Sequence, residues 1–425
     1  MREDLLHFAW KHHKLPSNSL LTSKGNPIHV ENTGQHNLLA GPDFFNAKLR
    51  IDGQLWAGNV EMHIKASDWY VHGHEKDSNY DNVILHVVWE DDVSVFRKDG
   101  TEIPTLELKN YIPATLLQGY RKLLENSSTK FVNCENDLKD VNDFLWDSWL
   151  ERLFFERLEQ KSVLIYGLLE SSQNDWEKVL FCLLMKNFGL NVNGPLFLEI
   201  AKALDFSVLR KVQNDALQTE VLLLGTAGLL DDESSDSYFL KLKEEYNYLE
   251  HKFQLVKLYQ KPQFFGLRPN NFPTIRLSQI AQLYHTYQNL FTRLIEIRDL
   301  NEYYDLFDIS TSAYWQNHYT FGKVSKKSTK KLTKNFVDLL LINTIVPLKF
   351  CYSRYLGKEI NNELIDLLTK IRPEKNTIVE QFDLHGAKTQ SAMHSQAKIQ
   401  LYNEYCTKNR CLHCAVGTHL LKGNN

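Results

Sequence analysis

The sequence is poor in cysteine, and neither sign of charge predominates in it. Its 425 residues include only 6 cysteines, unevenly spaced, which argues against a disulfide framework and favours the reducing cytoplasm. Lys and Arg total 49 against 52 for Asp and Glu, so the formal net charge is -3. This balance excludes a surface that is basic all over, although it allows a local basic groove.

Long apolar runs are also scarce. The opening residues, MREDLLHFAWKHHKLP, are charged and lack the apolar region of a secretory signal. The most apolar stretch, residues 336–350, is interrupted by Asp338, Pro347 and Lys349, so we expect a buried helix there rather than a membrane span. We therefore expect a cytoplasmic protein that has no membrane partner.

Motifs of several enzyme classes are missing too. The sequence has no nucleophile elbow and no dinucleotide-binding fingerprint. The segment GTAGLL at 225–230 lacks the lysine and the preceding strand of a phosphate-binding loop. A serine or cysteine hydrolase and a nucleotide-binding enzyme therefore have no positive support.

Two halves of the chain differ in hydrophobic periodicity. At about 150 residues per domain, the length indicates two or three domains. Residues 1 to about 110 carry strand patterns, and from about 140 onward apolar residues recur at the three- and four-residue steps of helices. We predict an α+β protein: a module at 1–115 with a mixed, largely antiparallel sheet and a flanking helix, a connecting segment at 116–142, and a larger all-α domain at 143–425.

The predicted elements are centred on a β-hairpin. Asp52-Gly53 is a pair that favours a two-residue hairpin turn, and Pro104 places the last strand at an edge or a bulge. The strand patterns cover residues 43–51, 54–64, 83–89, 93–97 and 102–108. The helical patterns cover residues 2–14, 143–170, 175–188, 195–204, 237–258, 274–297, 330–345 and 391–405.

Four segments spread along the chain carry a family resemblance. They are GPDFFNAKLRIDGQLWAGNVEMHIKASDWYVHGH at 41–74, FGLRPNNFPTIRLSQIAQL at 265–283, YWQNHYTFGK at 314–323 and YCTKNRCLHCAVG at 405–417. Together they resemble a family known only as a domain of unknown function and typical of Bacteroidota. This resemblance implies no activity, fold or ligand, so function has to be argued from the residues.

The hairpin carries acidic and basic residues in a pattern that resembles a nuclease core. Asp43 opens one strand, and Glu61, His63 and Lys65 alternate on the next. This is similar to the PD-(D/E)XK nuclease superfamily, where an Asp and a Glu-x-Lys hold a divalent metal ion. The resemblance implies Mg²⁺ or Mn²⁺ bound by Asp43 and Glu61, with His63 or Lys65 assisting the attacking water. His63 stands where that family has its lysine, so the strict motif is broken.

The register of the hairpin decides whether the two carboxylates meet. A two-residue loop at 52–53, continued without interruption, turns Asp43 to the opposite sheet face from Glu61. A three-residue loop would bring Asp43 beside Glu61. A bulge at Gly58 would instead pair Asp43 with His63.

Three histidines follow the hairpin. His72 and His74 are two residues apart, and His86 lies within the predicted central strand. If their imidazoles converge, they would chelate a transition metal in a different type of enzyme, such as a zinc hydrolase or a cupin-like oxygenase. The alternative is a surface loop with solvated histidines, in which His86 is packed inside the sheet.

Three cysteines lie close together near the end of the sequence. Cys406, Cys411 and Cys414 supply three thiolates, and Zn²⁺ or a four-iron cluster needs a fourth ligand. The candidates for that ligand are Cys134, Cys351, His413 and His419. The pattern looks like the iron–sulfur staple of some nucleases related to the PD-(D/E)XK group, which combine three late cysteines with one early one, although the spacing differs. The alternative is packing as small buried apolar residues.

A run of lysines without any acid follows an aromatic group at 314–321. The lysines are Lys323, Lys326, Lys327, Lys330, Lys331 and Lys334. Lysines neutralise phosphates and aromatic rings stack on unpaired bases, so this run is predicted to contact DNA or RNA. Arg268, in a Pro-bounded loop, would add a phosphate-binding guanidinium. The alternatives are a solvated charged surface for the lysines and a strut between domains for Arg268.

These patterns lead to two main functional hypotheses, and the metal enzyme that would use His72, His74 and His86 is a third. The first is a cytoplasmic metal-dependent nuclease, or a nucleic-acid-binding protein derived from one. The alternative is a non-catalytic interaction or scaffold protein, in which Glu61, His63 and Arg268 are buried against each other at a domain interface. The sequence does not specify protein partners.

Overall fold

A computed structural model describes residues 2–16, 19–37, 39–124, 130–256, 258 and 260–422. The chain divides into two compact units. The sheet unit consists of residues 1–149, 380–388 and 401–425, and the helical unit consists of residues 150–379 and 389–400. Residues 401–425, which the sequence patterns assigned to the helical domain, group with the sheet unit. The predicted α+β class is confirmed.

The sheet unit contains one mixed sheet. Its described strands are β1 Leu20–Leu21, β2 Pro27–Asn32, β3 Gln35–His36, β4 Phe44–Ile51, β5 Gln54–Lys65, β6 Val83–Glu90 and β7 Thr105–Glu107. The order is β1-β2-β4-β5-β6-β7, with β3 also paired to β4. The pairs up to β4-β5 are antiparallel, whereas β5-β6 and β6-β7 are parallel.

The helices of both units follow in chain order. They are α1 Asp4–Lys11, α2 Asp68–Val71, α3 Ala114–Leu124, α4 Asp143–Ser171, α5 Trp176–Phe188, α6 Leu190–Ala203, α7 Phe206–Val212, α8 Ala216–Thr226, α9 Ser237–Phe253, α10 Pro273–Thr286, α11 Leu290–Glu296, α12 Leu300–Leu306, α13 Lys334–Leu340, α14 Val346–Tyr355, α15 Asn361–Thr369, α16 Thr377–Leu384, α17 Ala392–Leu401 and α18 Ala415–Lys422. Two π-helical turns lie at Leu341–Ile345 and Tyr402–Cys406, and the helical unit also has a short hairpin of β8 His318–Thr320 and β9 Lys323–Val324.

The strands predicted for the hairpin and the centre of the sheet are confirmed as β4, β5 and β6. One other strand prediction is wrong, and one is too long. Residues 93–97 form no strand and have only an isolated bridge between Phe96 and Glu102. The strand predicted at 102–108 shortens to β7, after Pro104. The strands β1 and β3 have only two residues each, which is too few to show alternation, whereas β2 has Ile28 and Val30 two residues apart and is a strand that the sequence analysis missed.

Each segment with a helical pattern contains a helix, but the boundaries shift. The segment 274–297 forms two helices, α10 and α11, and the segment 330–345 starts later and continues through a π-helical turn into α14. In the segment 237–258, α9 ends at Phe253, and Lys257 lies outside the described residues. The predicted connecting segment 116–142 begins inside α3, and its residues 125–129 also lie outside the described residues.

One helical stretch has the length and apolarity of a membrane span. It is Lys334–Tyr355 in the helical unit, and 78% of its apolar window is buried inside the protein. Such burial is what a core helix of a globular unit shows, and it agrees with the buried helix expected at 336–350.

The hairpin between β4 and β5 turns as predicted and then changes register. Asp52 and Gly53 have φ of 50° and 79°, the left-handed values that a type I′ turn needs at both positions. The pairs next to the turn follow the two-residue register. A bulge in β4 with Asn46 at φ 56° then shifts the register by one, so that Phe44 pairs with Val60. Neither the three-residue loop nor a bulge at Gly58 occurs.

Side chains of β5 alternate between the two faces of the sheet. Val60 and Met62 belong to the larger core, which also holds α1 and α3 residues, whereas the smaller core is built around Trp69. Glu61 and His63 therefore point to the other face of the sheet from Val60 and Met62.

Gly58 lies where β6 first reaches β5. A Cβ atom on Gly58 would lie 2.5 Å from Ile84 Cγ2 and 2.6 Å from the carbonyl oxygen of Asn82. The glycine therefore permits the close parallel approach of β6, and the β5-β6 register then pairs Glu61 with His86.

We expect Gly58→Ala to lower the free energy of unfolding by about 1–3 kcal/mol, because the added methyl group overlaps a packed side chain and a backbone oxygen. The measurement is urea unfolding followed by circular dichroism. Gly167→Ala on α4 is the matched control: a Cβ there meets nothing within 4 Å, so stability should hold or rise by up to about 1 kcal/mol. Equal stability of Gly58→Ala and wild type would contradict the close approach.

Candidate metal centre on the sheet

The bulge in β4 brings Asp43 beside Glu61. The backbone N–H of Asp43 donates to Glu61 Oε2 over 3.1 Å, and the backbone N–H of Met62 donates to Asp43 Oδ2 over 2.9 Å. These reciprocal bonds hold both carboxylates at the start of β4. The two residues predicted as metal ligands are thus neighbours.

Four histidines gather around Glu61. His63 Nδ1 lies 2.8 Å from His86 Nε2, and His63 Nε2 lies 3.1 Å from His72 Nδ1. Glu61 Oε1 lies 3.5 Å from His63 Nε2 and 3.4 Å from His74 Nε2. The three histidines that follow the hairpin in sequence, His72, His74 and His86, therefore lie next to Glu61 or His63 of the hairpin.

The segment after β5 positions His72 and His74. Trp69 on α2 is fully buried in the smaller core, and its ring contacts that of His74 edge-on. Gly73 has φ of 73°, a left-handed conformation that turns the chain between the two histidines. The Tyr80 ring stacks on His74 with 3.8 Å between ring centroids. Packing of these aromatic rings fixes the His74 imidazole.

Burial dominates the electrostatics of the site. Burial and the neighbouring imidazoles lower the pKa of His63 to about 2, and burial with the charge of His74 lowers the pKa of His86 to about 3. Burial and the negative charge of Asp43 raise the pKa of Glu61 to about 9. Neutral imidazoles offer lone pairs, and a cation beside them would favour the ionised form of Glu61.

Three imidazole nitrogens lie close enough together to ligate one transition-metal ion. The ligand atoms of His63, His72 and His74 all lie within 4.8 Å of one another. Glu61 is outside this group of three, but its Oε1 lies beside two of its members, 3.5 Å from His63 Nε2 and 3.4 Å from His74 Nε2. A tetrahedral ion with bonds of about 2.0–2.1 Å places its ligand atoms about 3.3 Å apart, close to the 3.1 Å between His63 Nε2 and His72 Nδ1.

His86 contacts the ring nitrogen of His63 that does not face Glu61 and His72. When His63 donates from Nδ1 to His86 Nε2, its own Nε2 keeps a lone pair directed toward Glu61 and His72. Histidine ligands of metal ions are commonly held by such a bond from their second nitrogen.

His7 is a member of the site that sequence reasoning missed. It projects from α1, and its Nε2 lies 3.2 Å from Asp43 Oδ2. Burial alone would lower the pKa of His7, but the interaction with Asp43 and the charge of Glu3 raise it. No local pattern in the sequence pairs a histidine of the first helix with the hairpin.

Lys65 lies outside this group. It stands at the exposed end of β5, where its backbone N–H donates to Asp68 Oδ2 over 3.0 Å and its charge acts on Asp92. Of the four predicted catalytic residues, the structure brings together Asp43, Glu61 and His63.

The lysine run in the helical unit is mixed in character. Lys323, Lys326 and Lys327 are exposed, whereas Lys331 forms an ion pair with Asp308 at 2.8 Å. Lys330 is buried, 4% exposed, and its ammonium donates to the carbonyl oxygens of Trp315 and, over 3.0 Å, of Gln316. Burial and these carbonyl contacts remove Lys330 from the surface that a nucleic acid would touch.

The helical unit also contains Trp315 of the aromatic group and Arg268 of the Pro-bounded loop. Trp315 is fully buried with its indole N–H donating to Glu220, so this ring is not available to stack on a base.

Arg268 is exposed. Glu61 and His63 are 5% and 2% exposed, and the partners given above are residues of their own unit. The burial of Arg268 that the scaffold hypothesis requires is therefore not observed.

The C-terminal cysteines form a separate group. Cys406, Cys411 and Cys414 belong to the sheet unit together with Cys134. Cys351 lies in the helical unit, with its Sγ 3.1 Å from Ser162 Oγ.

Comparisons with known proteins assign a family and no activity. Neither the curated proteins nor the solved structures contain a match to this chain. A family model described as a protein of unknown function (DUF2851) matches residues 3–377, which include all the carboxylates and histidines of the candidate metal centre. The similarity to PD-(D/E)XK nucleases and the Bacteroidota origin stay predictions. The chain belongs to the family of proteins of unknown function DUF2851.

Proposed function

We propose that the protein is a metal-dependent hydrolase that cleaves phosphodiester bonds, with nucleic acid as its substrate. The observation that carries this proposal is the convergence of three imidazole donors, from His63, His72 and His74, within 4.8 Å of one another, with Glu61 Oε1 beside His63 and His74. A metal ion bound there would polarise a phosphoryl oxygen and lower the pKa of a bound water.

The donor set favours a transition-metal ion. Mg²⁺ prefers six oxygen ligands, whereas three imidazole nitrogens and one carboxylate suit Mn²⁺ or Zn²⁺. Among the ions expected from the sequence, Mn²⁺ accepts both carboxylate and imidazole ligands. Two of the three nitrogen donors, His72 and His74, come from histidines that the nuclease resemblance does not include.

Asp43 and His7 supply proton-transfer groups next to the donor atoms. Asp43 Oδ2 accepts the Met62 N–H and lies 3.2 Å from His7 Nε2. A carboxylate and an imidazole side by side provide a base for the attacking water and an acid for the leaving oxygen. Asp43 therefore acts in this proposal as a proton-transfer residue rather than as a second metal ligand.

The residues of the site differ in their exposure to solvent. The side chains of His7 and Asp43 are 18% and 23% exposed and His72 is exposed, whereas those of Glu61 and His63 are 7% and 2% exposed. A substrate would approach past Asp43 and His72, with the buried donors beneath. Such a combination of access and dry surroundings is what a hydrolytic centre requires.

The choice of phosphodiesters rests on the hairpin pattern and on positive charge. The Asp at the start of β4 beside the Glu of β5 is the arrangement that prompted the nuclease hypothesis, and the bulge allows it. The exposed Lys323, Lys326 and Lys327 add phosphate-binding charge on the helical unit.

We expect His74→Ala to weaken binding of Mn²⁺ and Zn²⁺ by about 10- to 100-fold or more, because a buried nitrogen donor is removed. Isothermal titration calorimetry of metal-stripped protein measures the change. His29→Ala is the matched control, since His29 is an exposed histidine on β2 of the same sheet. Equal affinities of the two variants, or a wild-type protein that binds neither ion, would contradict the metal site.

We expect Asp43→Asn to lower kcat on bis(p-nitrophenyl) phosphate, and on single- and double-stranded DNA and RNA, by about 10²- to 10⁴-fold. Metal affinity should change little, because the donor atoms remain and the asparagine oxygen still accepts the Met62 N–H. The matched control is Asp99→Asn, at the exposed turn before Thr101.

The outcomes separate the two functional hypotheses. Metal-dependent hydrolysis that is lost in Asp43→Asn and retained in Asp99→Asn supports the hydrolase. Stoichiometric metal binding without cleavage of any phosphodiester would overturn it in favour of a non-catalytic interaction protein.

A further inference from the structure

Two cationic side chains of the helical unit are held on one oxygen atom. Arg157 and Lys161 lie four residues apart on α4, so their side chains are on the same face of that helix. Arg157 Nε donates to Gln396 Oε1 over 2.6 Å, and the Lys161 ammonium donates to the same oxygen over 3.3 Å. Like charges so close together repel each other, which costs free energy unless negative charge lies beside them.

The other acceptors of the Lys161 ammonium come from the π-helical turn before α14. Pro347 has no N–H and Val346 donates its N–H to the first residue of the turn, so no nearby helical donor reaches the carbonyl oxygen of Ile342. That oxygen accepts the Lys161 ammonium over 3.3 Å, and Asn343 Oδ1 accepts it over 3.0 Å. Every acceptor of Lys161 among the described residues is thus a neutral oxygen.

The acid near these cations forms no ion pair with them in the described part of the chain. No carboxylate oxygen there accepts a hydrogen bond from Arg157 or Lys161. The charge of Glu374 acts on both cations, but its Oε2 accepts the side-chain N–H of Gln396. Burial and the charges of Arg157 and Lys186 lower the pKa of Lys161 to about 7. Three positive charges are therefore opposed by one negative charge.

Part of the Arg157 guanidinium is free to bind a ligand. Its two Nη groups have no hydrogen-bond acceptor among the described residues, and neither of them is buried. All four charged residues of this group are half-buried, so the group reaches the surface. A guanidinium fork binds two oxygens of one carboxylate or phosphate group at the same time. The Nη groups therefore offer a bidentate site close to the Lys161 ammonium.

We propose that Arg157, Lys161 and Lys186 bind a phosphate group. Three cations and the one acid, Glu374, leave an excess of two positive charges. A phosphate monoester carries about −1.5 to −2 charges at pH 7 and offsets most of that excess, whereas a carboxylate would leave one cation uncompensated. Two of its oxygens bind the Nη groups of Arg157. The site belongs to the helical unit and does not rest on the proposed hydrolase.

The test is isothermal titration calorimetry of the metal-stripped full chain, so that no bound metal ion competes for the anion. The probes are inorganic phosphate, adenosine 5′-monophosphate and acetate, each at the same ionic strength. We expect phosphate to bind at least about 10-fold more tightly than acetate, because it brings more charge and a third oxygen.

We expect Arg157→Gln to weaken phosphate binding by about 10- to 100-fold, because it removes one charge and the bidentate hydrogen bonds. Arg157→Lys keeps the charge without the fork, so it should weaken binding less than Arg157→Gln does. Arg354→Gln is the matched control. Arg354 belongs to the same unit and already pairs with Glu159 over 3.0 Å, so its loss should leave phosphate binding unchanged.

The wild-type protein tests the site without any substitution, and circular dichroism of each variant keeps a folding defect apart from a ligand defect. Tighter binding of adenosine 5′-monophosphate than of phosphate would assign the site to the phosphate group of a larger ligand, and the opposite order would assign it to free phosphate. No binding of either phosphate probe to the wild-type protein would overturn the proposal, as would acetate bound as tightly as phosphate. Equal phosphate affinities of Arg157→Gln and Arg354→Gln would also contradict it.

Discussion

The one-residue bulge in β4 is the constraint on which the candidate metal centre depends. Asn46 adopts a left-handed conformation, and the hairpin register shifts so that the Asp43 N–H donates to Glu61 Oε2 and the Met62 N–H donates to Asp43 Oδ2. Side chains alternate along a strand, so an uninterrupted hairpin would have turned Asp43 to the other face. The parallel pairing of β6 then adds His86 next to Glu61. One local irregularity of the backbone therefore decides which polar groups share a face.

The candidate metal centre collects groups that are costly to bury without a cation. Glu61 is a buried carboxyl among imidazoles that burial keeps neutral. Burying ionisable groups costs free energy unless hydrogen bonds, opposite charges or metals compensate, and such groups concentrate at functional sites. The same electrostatic reasoning underlies the proposal of a nitrogen-rich metal site on the sheet.

Local sequence signals predicted much of the sheet and part of the site. The Asp52-Gly53 turn, the continuous apolar strand β6 and the alternation of Glu61 and His63 need only neighbouring residues to be recognised. The sequence does not determine the register of Asp43, because no local rule places a bulge at Asn46. At Lys330 the local sequence signal was misleading. This lysine belongs to a charged run, yet its ammonium is buried and donates to the carbonyl oxygens of Trp315 and Gln316.

The sequence by itself determined the α+β class, the hairpin and the residue types from which the candidate metal centre is built, since these follow from periodicity, turn chemistry and short spacings. Only the tertiary structure decided which of those residues meet. It brought His7 of α1 to Asp43, and it placed Cys134 in the same unit as the C-terminal cysteines and Cys351 in the other unit. These pairings join residues that are far apart in the chain, and the burial and packing that bring such residues together are properties of the whole folded unit.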